Sequence, residues 1–196
     1  SAERSGTRMA TLINDLLDIE KIKSGTMILD KEKLPVQEVF DNVCLNVVDW
    51  AAECNVHIQC QPTKLTALAD REKLSRVIFN LISNAIKFSP PGGRIIVSAS
   101  PILEQNGKNN LNTNVIEITV SDQGPGIPAD MLLTIFERFQ QISDSSHQSK
   151  GGSGLGLTIC KEIVNLHGGK IWATSEPDNG SVFHFTVEQL SVGQMT

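Results

Sequence analysis

Between Leu74 and Phe88 the apolar residues Leu74, Val77, Ile78, Leu81, Ala85 and Phe88 recur at steps of three and four, the period of a helix laid along a core. Asp70 is placed to cap its start, and Ser89-Pro90-Pro91-Gly92-Gly93 cannot continue it. The stretch "NLISNAIKF" sets Asn80, Asn84 and Lys87 within about 60° of arc beside the apolar face. Asparagine competes for backbone hydrogen bonds and is a mediocre helix former. Alone, this polar stripe reads equally as solvated surface. Chemistry favours a site: two amide oxygens one turn apart can reach a single hard cation such as Mg²⁺, and a lysine one turn further can neutralise phosphate.

The other elements surround this helix. Met9, Leu12, Ile13, Leu16, Leu17, Ile19 and Ile22 mark an amphipathic helix stopped by Ser24-Gly25. A strand is expected over Met27–Leu34, a helix opened by Pro35 through Glu53, and short strands at Val56–Cys60 and Thr66–Ala69. Strands at Arg94–Ser100 and Val115–Ser121 flank "EQNGKNNLNT", which reads as a hairpin loop. The segment from Asp122 to Gly154 is rich in Gly, Ser and Gln, with one short helical piece around Met131–Gln140. A helix over Leu155–His167 and strands at Lys170–Ser175 and Ser181–Val187 complete the set. Helices and strands mix without strict βαβ alternation. The expected class is α+β: a two-layer α/β sandwich whose mixed, mostly antiparallel sheet is covered by helices on one face.

Composition excludes several functions. With 196 residues, 40% of them hydrophobic, the chain can build a core of ordinary domain size. A net charge of −5 without a Lys/Arg-rich run argues against nucleic acid, since phosphate-backbone binding needs a basic patch. No apolar run approaches ~18 residues and no signal peptide opens the chain, so a cytoplasmic fragment without membrane contact is expected. Cys44, Cys54, Cys60 and Cys160 lack C-x-x-C spacing and sit among apolar neighbours; they read as small buried hydrophobes in a reduced compartment.

Two glycine-rich pieces carry further chemistry. In "SDQGPGIPA", Gly124, Gly126 and Ala129 formally match a dinucleotide fingerprint. Pro125 and Pro128, the missing βαβ unit and the missing downstream acid argue against it. Asp122 just before the glycines can instead accept a hydrogen bond from an exocyclic amine of a base. In "GGSGLGLTI", Gly152, Gly154 and Gly156 precede a helix, forming a nest of amide N–H groups suited to phosphate oxygens. No P-loop pattern occurs in the chain. Each piece alone also reads as a plain turn or hinge.

Taken together and in order, these motifs resemble the ATP-binding catalytic domain of sensor histidine kinases, a fold shared with DNA gyrase, Hsp90 and MutL. "NLISNAIKF" looks like the N box, "DQGPGIP" like the first glycine box, "FERF" like the F box and "GGSGLGL" like the second glycine box. The resemblance covers about Asp18 to Glu188. The leading "RMATLINDLLDIEKIKSG" is similar to the second helix of the family's dimerisation and phosphoacceptor hairpin.

The resemblance implies three segments: residues 1–25 as part of that hairpin, 26–190 as the ATP-binding domain and 191–196 as a tail. It implies ATP and Mg²⁺ as cofactors, with Asn80 and Asn84 holding the metal and triphosphate and Lys87 near the phosphates. Asp122 would bind the adenine amine beside Gly124, Gly126 and Ile127. Gly152, Ser153, Gly154, Leu155 and Gly156 would close the phosphate side. Asp130 to Ser149 would form a mobile ATP lid rooted by Phe136 and Phe139, with His147 at its polar tip. Arg76 stands where glutamine is frequent in the family, and Lys73 where arginine is.

The phosphoacceptor motif is missing: His57, His167 and His184 all lie outside that context. The implied reaction is transfer of the γ-phosphoryl group to a histidine on a hairpin helix absent from this chain, of the same or a sister subunit. A response regulator receiver domain would follow, and the parent protein would be a homodimer. Gyrase, Hsp90 and MutL carry a water-activating glutamate where Asn80 stands, and an amide cannot be a general base at neutral pH. The alternatives are a serine-phosphorylating or ATP-hydrolysing relative and a non-catalytic nucleotide-sensing module.

Overall fold

The computed structural model describes residues 13, 16–22, 24–106, 111–140 and 154–190. After a helical segment at 16–22 come β1 (Glu32–Pro35), α1 (Val36–Glu53), β2 (His57–Cys60), β3 (Thr66–Ala69), α2 (Arg71–Phe88), β4 (Arg94–Asn106), β5 (Leu111–Asp122), α3 (Gly156–Leu166), β6 (Ile171–Ser175) and β7 (Ser181–Glu188). Five strands form one sheet in the order β2-β4-β5-β7-β6, while β1 and β3 make a separate antiparallel pair. Only β2 and β4 run parallel in the larger sheet, because the chain between them crosses over through β3 and α2 before returning. The expected α+β sandwich is the observed one.

The three helices cover one face of the sheet. α1 packs on α2 and β2, α2 on β4 and β5, and α3 on α2, β6 and β7. Inward-facing strand residues Ile95, Val97, Ile116, Ile118, Val120, Phe183, Phe185 and Val187 are buried against them. Alternate residues face the other way and form a polar ladder: the Ser98 and Thr119 hydroxyls are 2.7 Å apart and His184 Nδ1 lies 3.0 Å from Glu117 Oε1. The Trp172 ring stacks on His184 at 5.0 Å.

α2 lies between the other two helices, and its apolar face is wider than the periodicity predicts, taking in Ile82 and Ile86. Its start is tied in three directions. The Asp70 carboxylate accepts the Lys73 N–H as an N-cap and, through its other oxygen, the N–H of Asp30 (both 3.1 Å). The Asp70 N–H donates to Nε2 of His167 at 3.0 Å, while His167 Nδ1 meets the Ile163 carbonyl at 2.8 Å. An Nε2 that accepts requires the proton on Nδ1. The imidazole is therefore a neutral bridge between the end of α3 and the start of α2. The helical segment 16–22 also reaches α2, with Ile19 fully buried and Asp18 ion-paired to Arg76. Arg76, at a position where the resemblance would put glutamine, thus has a local partner.

Four expectations change. The strand expected over Met27–Leu34 is confined to Glu32–Pro35, because Ile28 is 87% exposed and the Asp30 N–H is taken by the Asp70 side chain rather than a ladder. At both ends of the polar stretch expected as a loop the strands continue, with register from Ile96↔Ser121 to Asn106↔Leu111, while residues 107–110 lie outside the described residues. Backbone pairing does not require apolar side chains, so a polar sequence is compatible with an antiparallel ladder. Around Met131–Gln140 there are successive turns instead of a helix: Thr134 and Ile135 both donate to the Met131 carbonyl and Glu137 to that of Thr134. The cysteines also differ, for only Cys160 is buried and the other three are partly exposed.

Two predictions concern the Asp70–His167 bridge. Asp70→Ala leaves the Lys73 and Asp30 N–H groups unpaired and lowers stability by about 1–2 kcal/mol, measured by urea denaturation. Burial lowers the His167 pKa, against the Ile163 carbonyl that raises it, with nearby Lys31 lowering and Asp70 raising it. The unfolded chain then binds more protons below its ordinary value of 6.5, so stability is full above that pH and falls as pH drops through the lower folded value. His167→Gln flattens this acid limb in denaturation midpoints taken from pH 7.5 to 5.

Candidate nucleotide site

The middle strand of the sheet, β5, ends at Asp122, and the chain turns sharply there. Asp122 is 7% exposed. Burial raises its pKa, opposed by hydrogen bonds donated from the Gly124 and Ser181 backbone N–H groups. The Gly124 bond to Oδ1 is 2.8 Å. Two N–H donors hold the carboxylate in place and leave further acceptor capacity, since an ionised carboxylate has about four lone-pair sites.

At Gly124 and Gly126 this bend leaves no room for a side chain. A Cβ at Gly124 would stand 2.8 Å from Asp122 Oδ1 and 3.2 Å from the Phe88 carbonyl oxygen. Gly126 takes φ +79° and a Cβ there would meet the Glu176 carbonyl at 2.2 Å. The following residue, Ile127, is buried, and its N–H donates to Ser175 Oγ at 2.8 Å. Ser175 Oγ in turn donates to the Gly180 carbonyl at 2.6 Å. The bend is thus pinned to the β6–β7 turn.

α2 brings the asparagine stripe to the same place. Its last residue, Phe88, abuts Gly124 as above, and Lys87 Nζ lies 4.9 Å from the Phe88 ring centroid. Asn80, two turns back, donates from Nδ2 to the Gly156 carbonyl at 3.4 Å, at the first residue of α3. Asn84 lies between them, one turn from each end, and is half-buried. Leu155 is fully buried beneath the start of α3. Asn80, Asn84, Lys87, the glycine bend and the α3 N-terminus therefore border one region.

The two phenylalanines named as roots of this segment differ in burial. Phe136 is buried and meets Phe183 edge-on, with centroids 6.3 Å apart. Phe139 takes φ +59° and is 65% exposed, so the anchoring expected of both phenylalanines falls to Phe136. Phe139 contributes backbone instead: its N–H donates to the Gly154 carbonyl at 3.0 Å, and a Cβ on Gly154 would come within 2.9 Å of Phe139 Cα. Gly152, Ser153, His147 and the rest of 141–153 lie outside the described residues.

Ser175, Gly180 and Ser181 were not legible as site residues. A Cβ at Gly180 would stand 2.1 Å from the Asp122 carbonyl oxygen, and Ser181 supplies the second N–H to the carboxylate. The Asn179-Gly180 pair before a strand signals a turn, but nothing in it announces what the turn packs on. Among the described residues, no group of three His, Cys, Asp or Glu side chains could hold a metal ion. A cation here would depend on amide oxygens and a ligand's phosphates.

Residues 69–191 match a family model described as histidine kinase-, DNA gyrase B-, and HSP90-like ATPase. The chain is 36% identical over 184 residues to hybrid signal transduction histidine kinase D of Dictyostelium discoideum, covering 92% of this chain and 11% of that one. Among solved structures it resembles full-length ShkA in complex with AMPPNP, with a TM-score of 0.78, 26% identity, and 96% of this chain and 37% of that chain covered. It also resembles the mycobacterial sensor histidine kinase MprB, with a TM-score of 0.68, 31% identity, and 81% and 98% covered. The chain spans less than half the length of such curated relatives. The family match holds every described residue of the site, from Asn80 to Gly156, and extends over more than half of the chain. The chain belongs to the histidine kinase-, DNA gyrase B- and HSP90-like ATPase family.

Proposed function

We propose that this chain binds Mg-ATP and transfers its γ-phosphoryl group to a histidine on a hairpin helix outside it, as the catalytic domain of a two-component sensor kinase. The observation that carries the reading is the meeting of α2 with both glycine segments: Phe88 at the Asp122–Gly124 bend and Asn80 at Gly156. Asp122 accepts the adenine amine. Gly124, Gly126 and Ile127 let the backbone lie beside the base. The Asn80 amide nitrogen is held by Gly156, which leaves its oxygen as the donor suited to a hard cation, alongside that of Asn84. Asn80 and Asn84 would hold Mg²⁺, which would supply charge neutralisation at the phosphates, and the Lys87 ammonium would add to it. The Gly154–Gly156 amides at the start of α3 favour phosphate oxygens.

Among the described residues, Asn80, Asn84 and Lys87 position and screen charge on the phosphate side, and none of these three is a proton acceptor for water at neutral pH. Asn80 cannot activate a nucleophile, so chemistry depends on an external imidazole brought in line with the phosphoryl group. This favours transfer over hydrolysis. Residues 1–25 would belong to the hairpin, 26–190 to the ATP-binding domain and 191–196 to a tail. The exposed Ile13, Leu16 and Leu17 give the first segment an apolar row for the absent helix, in the same or a sister subunit of a homodimer. A response regulator receiver domain would take the phosphoryl group onward. No helix among the described residues is long and apolar enough to cross a membrane; a cytoplasmic place for this segment is part of the proposal.

Mixing the chain with γ-labelled Mg-ATP and a separate cognate hairpin places acid-labile label on the hairpin histidine. Absence of label there contradicts transfer, and steady phosphate release without an acceptor, lost in Asn80→Ala, points to an ATPase instead. Asp122→Asn keeps an acceptor for the Gly124 N–H but turns an amine toward the adenine amine. It weakens ATP binding about tenfold to a hundredfold, the range for losing a charged hydrogen bond, while thermal unfolding stays cooperative. Asn84→Ala abolishes the enhancement of ATP affinity by Mg²⁺ in paired titrations with and without the metal.

A further inference from the structure

Two cysteines that the nucleotide chemistry does not use meet at the edge of the sheet. Cys44 lies on α1 beside the buried Val43, and Cys60 is the last residue of β2. Their Sγ atoms are 2.6 Å apart, a separation not far beyond the ~2.05 Å of a disulfide bond. All four cysteines of the chain are free thiols. Cys44 and Cys60 pack against the margin of the core and keep partial exposure, so a small oxidant can reach them.

We infer that Cys44 and Cys60 form a reversible oxidation site, which a hydroperoxide closes into an intramolecular disulfide between α1 and β2. The Cys44 thiolate attacks a peroxide oxygen, the O–O bond breaks, and the departing hydroxide takes up a proton to leave water and a sulfenic acid. Cys60 Sγ then attacks the Cys44 sulphur, the S–O bond breaks, and the hydroxyl departs as water with the Cys60 proton. In sum, two thiols and one hydrogen peroxide give one disulfide and two waters. The sulphurs lose two electrons and the peroxide gains them.

The environment assigns the roles. The hydrogen bond shared with Cys60 holds Cys44 below the ordinary thiol range, against burial and the Asp41 carboxylate, which both raise it. The same bond, helped by burial, pushes Cys60 up. Cys44 is therefore the reactive thiolate and Cys60 the resolving partner. Cys160 is buried, and Cys54 has no sulphur partner among the described contacts.

The consequence is mechanical. β2 is an edge strand of four residues paired only with β4, and α1 packs on both β2 and α2. A bond from α1 to β2 fastens this edge to the helix layer that carries Asn80 and Asn84.

The full chain, reduced and freed of added thiol, is treated with hydrogen peroxide and mapped by mass spectrometry without reduction. The expected result is a Cys44–Cys60 linked peptide, a monomer with two of its four thiols still titratable, and a raised denaturation midpoint that dithiothreitol reverses. Cys60→Ser leaves Cys44 as a sulfenic acid trapped by dimedone, whereas Cys44→Ser leaves Cys60 unmodified. A link through Cys54 or to a second chain overturns the assignment. So does over-oxidation of Cys44 in the wild type without a link, or survival of all four thiols.

Discussion

A buried carboxylate at the end of the middle strand governs the architecture of this site. Asp122 stands where β5 leaves the sheet, and burial opposes its charge. Among the described residues, the backbone N–H groups of Gly124 and Ser181 offset that cost. Both come close, and no Cβ fits at Gly124 beneath the carboxylate or at Gly180 against the Asp122 carbonyl. The glycines follow from the carboxylate, and with them the sharp bend, its left-handed turn at Gly126 and the bridge through Ser175 to the β6–β7 turn.

α2 transmits that placement to the rest of the region. Its apolar side is locked between α1, α3 and the sheet, so its polar margin cannot rotate without exposing Leu81 or Ile82. One end touches the glycine bend and the middle touches the start of α3. A helix held so firmly acts as a ruler, spacing the amides and the lysine between the glycine bend and the start of α3. The Asp70–His167 bridge fixes where the ruler starts, far from the chemistry but in line with it.

Much of this was legible because it is written in local terms. The apolar period of α2, its Asp70 cap and the Pro-Pro-Gly-Gly stop are properties of neighbouring residues, and all three appear in the structure. The first glycine piece was legible as a bend for the same reason. What escaped was set by partners distant in sequence. Asp30 looked like part of a strand until the Asp70 carboxylate took its N–H. Phe139 has the same ring as Phe136, yet a left-handed backbone accompanies an exposed side chain. Cys44 and Cys60 lack any motif spacing, and only the packing of α1 on β2 brings their sulphurs together. Ser181 shows no mark of its role, because it acts through its backbone N–H.

The central claim is that Asp122 and the paired amides of Asn80 and Asn84 serve one and the same nucleotide. A crystal structure with a non-hydrolysable ATP analogue and Mn²⁺, located by anomalous scattering, tests it most directly. The account predicts the adenine amine hydrogen-bonded to the Asp122 carboxylate and the manganese peak on the side-chain oxygens of Asn80 and Asn84. A base bound away from Asp122, or a metal held by other groups, would contradict it.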